Sequence, residues 1–199
     1  MKSRLDKSLT QRGLVASRNR AQERILAGEV LVNGAVATKP AMLVDENAAI
    51  SLQGEEAPYV SRGGWKLAAA LTHWKISLTD RICLDVGTST GGFTDCMLQH
   101  GAIQVVGVDT GSDQLASRLR GDSRLHLLER TNARFLTAGM LPAGISFFAV
   151  DVSFIAASQI LPAVIAAVQS SHISVQTTPA LMAVVLVKPQ FEAGREHVG

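Results

Sequence analysis

The sequence predicts an α/β fold, in which a doubly wound parallel sheet follows a small α+β domain. Two observations support this prediction. From residue 66 onward, short and nearly continuous apolar runs alternate with helix-capable segments, which is the pattern of parallel strands buried on both faces. Before residue 55, helical periodicity is followed by a strand, a turn signal and a second strand. We therefore expect a domain at 1–55, a linker at 56–64 and a second domain at 65–199.

The first domain is predicted to begin with two short, basic helices. Apolar side chains recur at helical spacing over residues 3–26, and Gly13 separates the two helices. Residues 1–26 hold seven Lys and Arg residues and only two acids, which suggests either a surface for a polyanion or an ordinary solvated helix face. A hairpin follows, because Asn33-Gly34 separates two strand-like segments, and residues 46–56 add a short strand and an acidic turn. The seven candidate binding residues are Lys2, Arg4, Lys7, Arg12, Arg18, Arg20 and Arg24.

The second domain is predicted to contain five parallel strands. Its apolar runs are RICLDVG, IQVVGVD, RLHLLER, ISFFAVDV and LMAVVLVK. The helix-capable segments around them are 66–74, 92–100, 112–120 and 154–169.

Composition excludes several classes of protein. An apolar fraction of 47% with 18% charged residues excludes a disordered chain. Cys83 and Cys96 occur without a CxxC motif or a His cluster, so they indicate core thiols in a reducing compartment rather than a metal site or a disulfide. The N-terminus does not resemble a signal peptide, and the longest apolar run, 180–187, is far shorter than the ~20 residues that span a bilayer. We expect a cytoplasmic protein without a membrane or metal partner.

The first apolar run ends in a glycine-rich turn, LDVGTSTGGF, at residues 84–93. No lysine follows Gly91-Gly92, so the turn is not a Walker loop, and its glycines do not fit the dinucleotide fingerprint. An acid two residues before a glycine, followed by a tight turn that opens a helix, is typical of sheets that bind S-adenosylmethionine. That ligand has no pyrophosphate, and the glycines allow the backbone to approach it closely.

Asp109 ends the second apolar run, 22 positions after Gly87. In doubly wound nucleotide sites, an acid about 20 residues beyond the loop binds the ribose hydroxyls. The alternative role for Asp109 is that of a helix N-cap, but the two features together favour nucleoside binding. The expected cofactor residues are Asp85, Gly87, Ser89, Gly91, Gly92, Phe93, Asp109 and Asn132.

Two reactive side chains end later strands. Asp151 ends the fourth apolar run and Lys188 ends the fifth. Because open parallel sheets bind ligands at the carboxyl ends of their strands, both side chains are expected to point into one crevice. A strand-end lysine can also extend to solvent, but its position after seven apolar residues favours the crevice. Lys66, in SRGGWKL, is by itself typical of a solvated helical lysine.

Five motifs in order resemble the TlyA family, also called hemolysin A. They are YVSRGGWKL, LDVGTSTGGFTDCML, VVGVDTG, AVDVSFI and LVKPQFEAGREHVG. The family comprises bacterial ribosomal RNA 2′-O-methyltransferases with an FtsJ-like catalytic domain. The N-terminal segment resembles the alpha-L RNA-binding domain of the ribosomal protein S4 type. The resemblance implies a Rossmann-like methyltransferase sheet, S-adenosylmethionine as cofactor, and ribosomal RNA or ribosomal subunits as partners of the basic helices.

The resemblance also implies a Lys-Asp-Lys-Glu tetrad, whose first three members match Lys66, Asp151 and Lys188. A ribose hydroxyl must lose its proton as it attacks the methyl group, and a desolvated lysine can serve as the base. We assign Lys188 to that role, Asp151 to orienting Lys188, and Lys66 to positioning the ribose. The acceptor implied by the family is a cytidine.

The family's fourth member, a glutamate, lies beyond Gly199, and Glu192 and Glu196 do not match it. The sheet is therefore expected to be incomplete, with five strands, in a truncated chain or a degraded copy. Two other functions stay open: an RNA-binding protein with an inactive methyltransferase domain, and a hemolysin. The missing signal peptide and the lack of a long apolar or amphipathic segment argue against the hemolysin.

Overall fold

Two structural units make up the chain, Met1–Ala57 and Pro58–Gly199. The computed structural model describes residues 2–15, 17–53, 58–171 and 180–193. Glu196 lies outside these ranges. No helix within them is both long enough and apolar enough to cross a bilayer.

The N-terminal unit packs two helices against two small antiparallel sheets. Its elements are β1 (Lys2–Arg4), α1 (Leu5–Gln11), α2 (Arg18–Leu26), β2 (Val30–Val32), β3 (Ala35–Val36), β4 (Leu43–Asp45) and β5 (Ile50–Leu52). β1 pairs with β4, and β2 lies between β3 and β5. Leu5, Leu9 and Ile25 form its fully buried centre. The expected hairpin turn is present, because Asn33 and Gly34 both have positive φ.

The N-terminal unit departs from prediction at its start. Residues 2–4 form a strand rather than the beginning of a helix, since Lys2 pairs with Asp45 and Arg4 with Leu43. Neither β1 nor β4 was predicted, because neither stands beside a turn signal such as the Asn33-Gly34 pair that marks β2 and β3.

The second unit contains the predicted parallel sheet. Its elements are α3 (Arg62–His73), β6 (Ile82–Val86), α4 (Gly92–Gln99), β7 (Gln104–Val108), β8 (Leu125–Leu128), β9 (Ile145–Val150), α5 (Leu161–Ser171), β10 (Met182–Val185) and α6 (Pro189–Glu192). The strand order is β10-β9-β6-β7-β8, and every neighbouring pair is parallel. From β6 the chain adds β7 and β8 on one side of the sheet, and then β9 and β10 on the other side of β6. The carboxyl ends of β6 and β9 therefore form the topological switch point.

Alternate residues of the strands fill two cores. Cys83 and Phe147 pack against Leu67 of α3 and against α4 in one core, whereas Leu84 and Phe148 lie in the core that α5 covers. Cys83 and Cys96 are both buried free thiols, as predicted. Burial raises the pKa of each thiol to about 12, which keeps both protonated and unreactive.

One predicted helix is absent from the structure and another begins later than predicted. Residues 112–120 contain only a 3-10 turn at Ser117–Leu119, and residues 154–160 form a bend and a 3-10 turn before α5. Asp113 and Phe154 explain this, because both have positive φ, which a right-handed helix does not accept.

α3 begins earlier than predicted, so residues 62–64 of the expected linker form its first turn. A Cβ at Gly64 would lie 2.3 Å from the Tyr59 side chain, so only glycine permits this packing. The segment before α3 is attached to α4, because the Val60 N–H donates to Asp95 Oδ2 at 2.7 Å. Gln99 and Arg118 both donate to the carbonyl of residue 58.

Candidate active site

A cavity of about 580 Å³ opens at the carboxyl ends of β6, β7 and β9, at the switch point of the sheet. Four of the eight predicted cofactor residues line it, and so does Asp151. Among the lining residues that the structure describes, none is Lys or Arg. The four are Gly87, Ser89, Asp109 and Asn132, and apolar parts of the wall come from Val86, Val108, Val152, Ile155 and Ile160.

Asp109 joins the loops after β6 and β7. Its Oδ2 accepts the Ser89 N–H and its Oδ1 accepts the Gly111 N–H, both at 2.7 Å. A carboxylate has about four acceptor positions, so further hydrogen bonds to a ligand are available. The N-cap alternative does not apply, because residues 110–116 contain no helix.

Gly87 is the position at which the glycine-rich turn needs a glycine. Its φ is +91°, and a Cβ there would lie 2.6 Å from the carbonyl oxygen of Asp151. The turn after β6 and the turn after β9 are therefore in direct backbone contact.

Asp85 does not line the cavity, contrary to the sequence prediction. It is fully buried, and its Oδ2 accepts the Thr94 N–H at 3.0 Å and the Thr94 hydroxyl at 2.6 Å. Its Oδ1 has no hydrogen-bond partner in the described structure. Burial raises the pKa of Asp85 to about 7, opposed by the bonds from Thr94. Asp85 thus fixes the first turn of α4 beneath the loop.

Gly91, Gly92 and Phe93 also lie away from the cavity. A Cβ at Gly91 would collide with Leu119, and one at Gly92 would lie 2.2 Å from the Ser61 hydroxyl. Phe93 is buried in the core beside α3. These glycines permit close packing around α4, which is a different requirement from the close ligand approach expected from the sequence.

Asn132 lies on the cavity wall, where it caps a short 3-10 turn. Its side-chain oxygen accepts the Arg134 N–H at 3.0 Å. The amide NH₂ group of Asn132 is therefore the part of the side chain that is oriented to donate.

The three predicted catalytic side chains lie together. Lys66 Nζ is 3.4 Å from Asp151 Oδ2, and Lys188 Nζ is 2.7 Å from Asp151 Oδ1. The exposed fractions of the side chains differ: 49% for Lys66, 16% for Asp151 and 19% for Lys188. One carboxylate thus contacts two ammonium groups, one largely shielded from solvent and one accessible.

Ser153 is a site residue that the sequence did not indicate. The Lys188 ammonium donates a hydrogen bond to the Ser153 Oγ at 2.8 Å. The contact between Lys188 and Asp151, in contrast, is an ion pair without hydrogen-bond geometry. Gln114 was missed as well, although it lines the cavity and accepts from the Ser89 hydroxyl at 3.3 Å. Ser153 could have been found from its position two residues after Asp151, an acid at a strand end. No sequence signal pointed to Gln114.

Glu192 supports the turn that precedes α5. Its carboxylate accepts the Ala157 N–H at 2.6 Å and the Ser158 hydroxyl at 2.7 Å. These bonds, led by that from Ser158, lower the pKa of Glu192. In the structure the Glu192 carboxylate is therefore bound to the turn before α5.

The basic residues of the N-terminal unit divide into two groups. Arg24 is 5% exposed and binds Glu29 and the carbonyl of Gln53, so it is a core residue and not a surface contact as predicted. Arg12 donates to the carbonyls of residues 45, 46 and 48. The exposed members of the predicted set are Lys2, Arg4, Lys7, Arg12 and Arg18, and Arg20 is partly exposed.

Asp6 organises two of the exposed arginines. It is fully buried, and Arg4 and Arg18 each pair with it at 2.9 Å. The Arg4 guanidinium holds the pKa of Asp6 well below its usual range, with further bonds from Gln22 and Arg18 acting in the same direction. The pairing fixes both guanidinium groups at the start of the two basic helices.

Two family models match the chain. The FtsJ-like methyltransferase model matches residues 59–199, and the S4 domain model matches residues 3–50. The 16S/23S rRNA (cytidine-2′-O)-methyltransferase TlyA of Mycobacterium tuberculosis is 42% identical, over 100% of this chain and 71% of that protein. Hemolysin A of Brachyspira hyodysenteriae is 40% identical, over 98% of this chain and 78% of that protein.

A solved structure from Streptococcus thermophilus, which carries a provisional hemolysin name, is similar over 100% of this chain and 70% of its own. Its TM-score is 0.68, at 40% sequence identity.

Proposed function

The chain belongs to the FtsJ-like methyltransferase family and carries an S4 domain, and from this premise we propose that it methylates a ribose 2′-hydroxyl of ribosomal RNA, at a cytidine, with S-adenosylmethionine as methyl donor. The observation that best supports this proposal is the contact of Lys66, Asp151 and Lys188 beside the cavity. Ribose methylation requires a proton acceptor and a cationic hold on the nucleotide, and this cluster offers both.

The cavity suits S-adenosylmethionine better than a phosphorylated nucleotide. Two carboxylates, Asp109 and Asp151, and no Lys or Arg stand among its described lining residues. That charge balance favours a ligand with a sulfonium and an ammonium group and disfavours a pyrophosphate. The volume of about 580 Å³ lies within the usual range for a small-molecule site.

The carboxylate of Asp109 and the amide NH₂ of Asn132 would hold the nucleoside portion. Val108 and Ile160 supply apolar wall beside them. When bound, S-adenosylmethionine supplies an electrophilic methyl group.

The protein's own groups would direct the proton and the acceptor. Lys188 Nζ, held by Asp151 and by the Ser153 hydroxyl, would take the proton from the ribose 2′-oxygen once it has itself lost one. Lys66 is half exposed and contacts the other carboxylate oxygen, so its ammonium can bind the incoming nucleotide. Fixing the hydroxyl in line with the methyl group would supply much of the rate.

The S4 domain would supply RNA affinity through phosphate contacts, which carry no sequence information. Lys2, Lys7 and Arg18 are exposed on its surface and would be available for these contacts. An enzyme of ribosomal RNA would act in the cytoplasm.

The test is methyl transfer from labelled S-adenosylmethionine to 16S and 23S rRNA and to ribosomal subunits, followed by mapping of the modified nucleotide. We expect a 2′-O-methylcytidine that is absent when the protein is omitted. An Asp151→Ala variant is the matched negative control. RNA binding without methylation by the unaltered chain would instead support an RNA-binding protein with an inactive methyltransferase domain.

A further inference from the structure

A second cavity, of about 470 Å³, lies beside the Lys66–Asp151–Lys188 cluster, and the proposed chemistry does not use it. Its walls come from four places: the 3-10 turn after β8, the bend after β9, the 3-10 turn Ala157–Gln159 that follows the bend, and α6. The residues that matter here are Arg134, Phe154, Gln159, Gln190 and Phe191.

This cavity adjoins the reacting groups on both sides. Phe154 follows Ser153, whose hydroxyl accepts from Lys188, and Gln190 lies two positions after Lys188. Phe154 and Ile155 also line the 580 Å³ cavity, so one short segment separates the two spaces. A nucleotide whose 2′-oxygen faces Lys188 must place its base nearby, because only two ribose carbons separate that oxygen from the base.

Two of the four apolar residues that line the cavity are aromatic, Phe154 and Phe191. Phe154 is 93% exposed and has a φ of +66°, a backbone conformation unfavourable for a residue with a bulky side chain. Its ring centroid lies 5.8 Å from that of Phe191. Two rings held at the mouth of a cavity beside a reactive centre present faces on which a planar base can stack.

The polar side of the cavity presents donors. Arg134 Nη2 donates to Gln159 Oε1. A guanidinium has no acceptor, so the carbonyl end of the Gln159 amide must face Arg134 and its NH₂ group must face away. The adjacent Gln190 adds a second amide.

We propose that this cavity is the acceptor-base site and that Gln159, oriented by Arg134, selects cytosine over uracil. The proposal rests on the proposed function, since it concerns the base of the nucleotide that is methylated. Cytosine presents two adjacent acceptors, O2 and N3, to the Gln159 NH₂ and the Arg134 N–H groups. Uracil carries a hydrogen on N3, so a donor would face a donor, and a donor that the bound base removes from water and leaves unpaired is disfavoured.

The experiment compares kcat/KM for methylation of two RNAs that differ only in the base at the mapped acceptor nucleotide, cytidine or uridine. The unaltered chain should prefer cytidine by about tenfold or more, the usual consequence of a mismatched hydrogen bond. Gln159→Ala should reduce the ratio toward one. Gln159→Glu replaces the donor by an acceptor, so it should reverse the preference by accepting the uracil N3–H.

Gln169→Ala is the matched control, because Gln169 is an exposed glutamine on α5 that does not line either cavity. It should keep the cytidine preference of the unaltered chain. Gln159 is itself exposed, and its amide contact is with a surface arginine, so the thermal unfolding midpoint of its variants should not change.

The outcomes separate this inference from the proposed function. Methylation of neither RNA by the unaltered chain would contradict the proposed function. Methylation with an equal rate on cytidine and uridine, or a cytidine preference that both Gln159 variants retain, would overturn the base-site assignment and leave the methyltransferase function standing. If the Gln159 variants lose the same fraction of their rate on cytidine and on uridine, the base-site assignment is also overturned, because Gln159 then does not discriminate between the two bases.

Discussion

The Lys188 ammonium lies 2.7 Å from the Asp151 carboxylate, at a place where the two side chains are less than one-fifth exposed. The second lysine, Lys66, contacts the same carboxylate from a more accessible position. One carboxylate cannot neutralise two ammonium groups, so the cluster retains an excess positive charge when both lysines are protonated. Lys188 could act in this cluster as a proton acceptor or as a fixed positive charge. The two roles predict different behaviour of Lys188 variants.

Lys188→Ala should reduce methyl transfer by at least ~100-fold, the usual scale for losing a general base, with little change in cofactor affinity. Lys188→Arg should not restore the rate, because a guanidinium stays protonated. The measurement is single-turnover methylation of ribosomal RNA with both variants. A near-normal rate for Lys188→Arg would show that the lysine acts as a fixed positive charge, and the base role would pass to Lys66 or to water.

Asp109→Ala should weaken binding of S-adenosylmethionine by about 1–3 kcal/mol, because it removes a carboxylate that lines the cavity and orders the Ser89 and Gly111 backbone. Isothermal titration calorimetry measures the change. Asp122→Ala is the control, since Asp122 pairs with Arg124 and does not line the cavity. Tight binding of NAD or ATP by the unaltered chain, without binding of S-adenosylmethionine, would refute the cofactor assignment.

Replacing Lys2 and Lys7 with Gln should weaken binding to all RNA sequences alike. The slope of log K against log salt should also become shallower, by about one for each phosphate that the protein no longer neutralises. Both residues are exposed on the N-terminal unit. Arg18→Glu is a poorer choice, because it would bring a second carboxylate to the buried Asp6. Titration of labelled ribosomal RNA at several salt concentrations measures this change. Lys75→Gln, in the second unit, is the control. An unchanged affinity of the Lys2 and Lys7 variant would show that these residues do not contact RNA.

Asp85 should make the second unit less stable as pH rises. Its carboxyl binds a proton more tightly when folded, with a pKa of about 7, than when unfolded, with a pKa near 4. The folded state therefore holds more protons between about pH 4 and pH 7, and the free energy of unfolding falls across that window as pH rises. Asp85→Asn should flatten the dependence.

Urea unfolding followed by tryptophan fluorescence tests this, because Trp65 and Trp74 both belong to the second unit. Asp122→Asn is the comparison, since hydrogen bonds from Arg124 lower the pKa of Asp122, the opposite direction. An Asp85→Asn variant that keeps the full pH dependence would show that folding does not raise the pKa of Asp85.

The sequence predicted those features that follow from strand ends. Parallel strands bring their carboxyl ends to one edge, so the positions of Asp109, Asp151 and Lys188 could be inferred without knowledge of packing. Burial by distant segments could not be inferred. Arg24 looks like a surface cation until the carbonyl of Gln53 and the carboxylate of Glu29 reach it.

The same limit applies to the glycine-rich turn. A glycine that accommodates a ligand and one that accommodates a neighbouring helix have the same letter in a sequence, and Gly92 belongs to the second kind through its contact with Ser61. The donor side of the second cavity was hidden for the same reason, since Arg134 and Gln159 belong to separate segments that meet only in the folded chain.

The contact between Gly87 and the carbonyl of Asp151 has a consequence for engineering. Because these two turns touch through their backbones, a displacement of the loop that would hold the cofactor should also displace the turn that bears Asp151. A loop from another methyltransferase, grafted after β6 alone, would shift the carboxylate that positions both lysines. A graft intended to change the cofactor should therefore exchange residues 87–93 together with the turn that begins at Asp151.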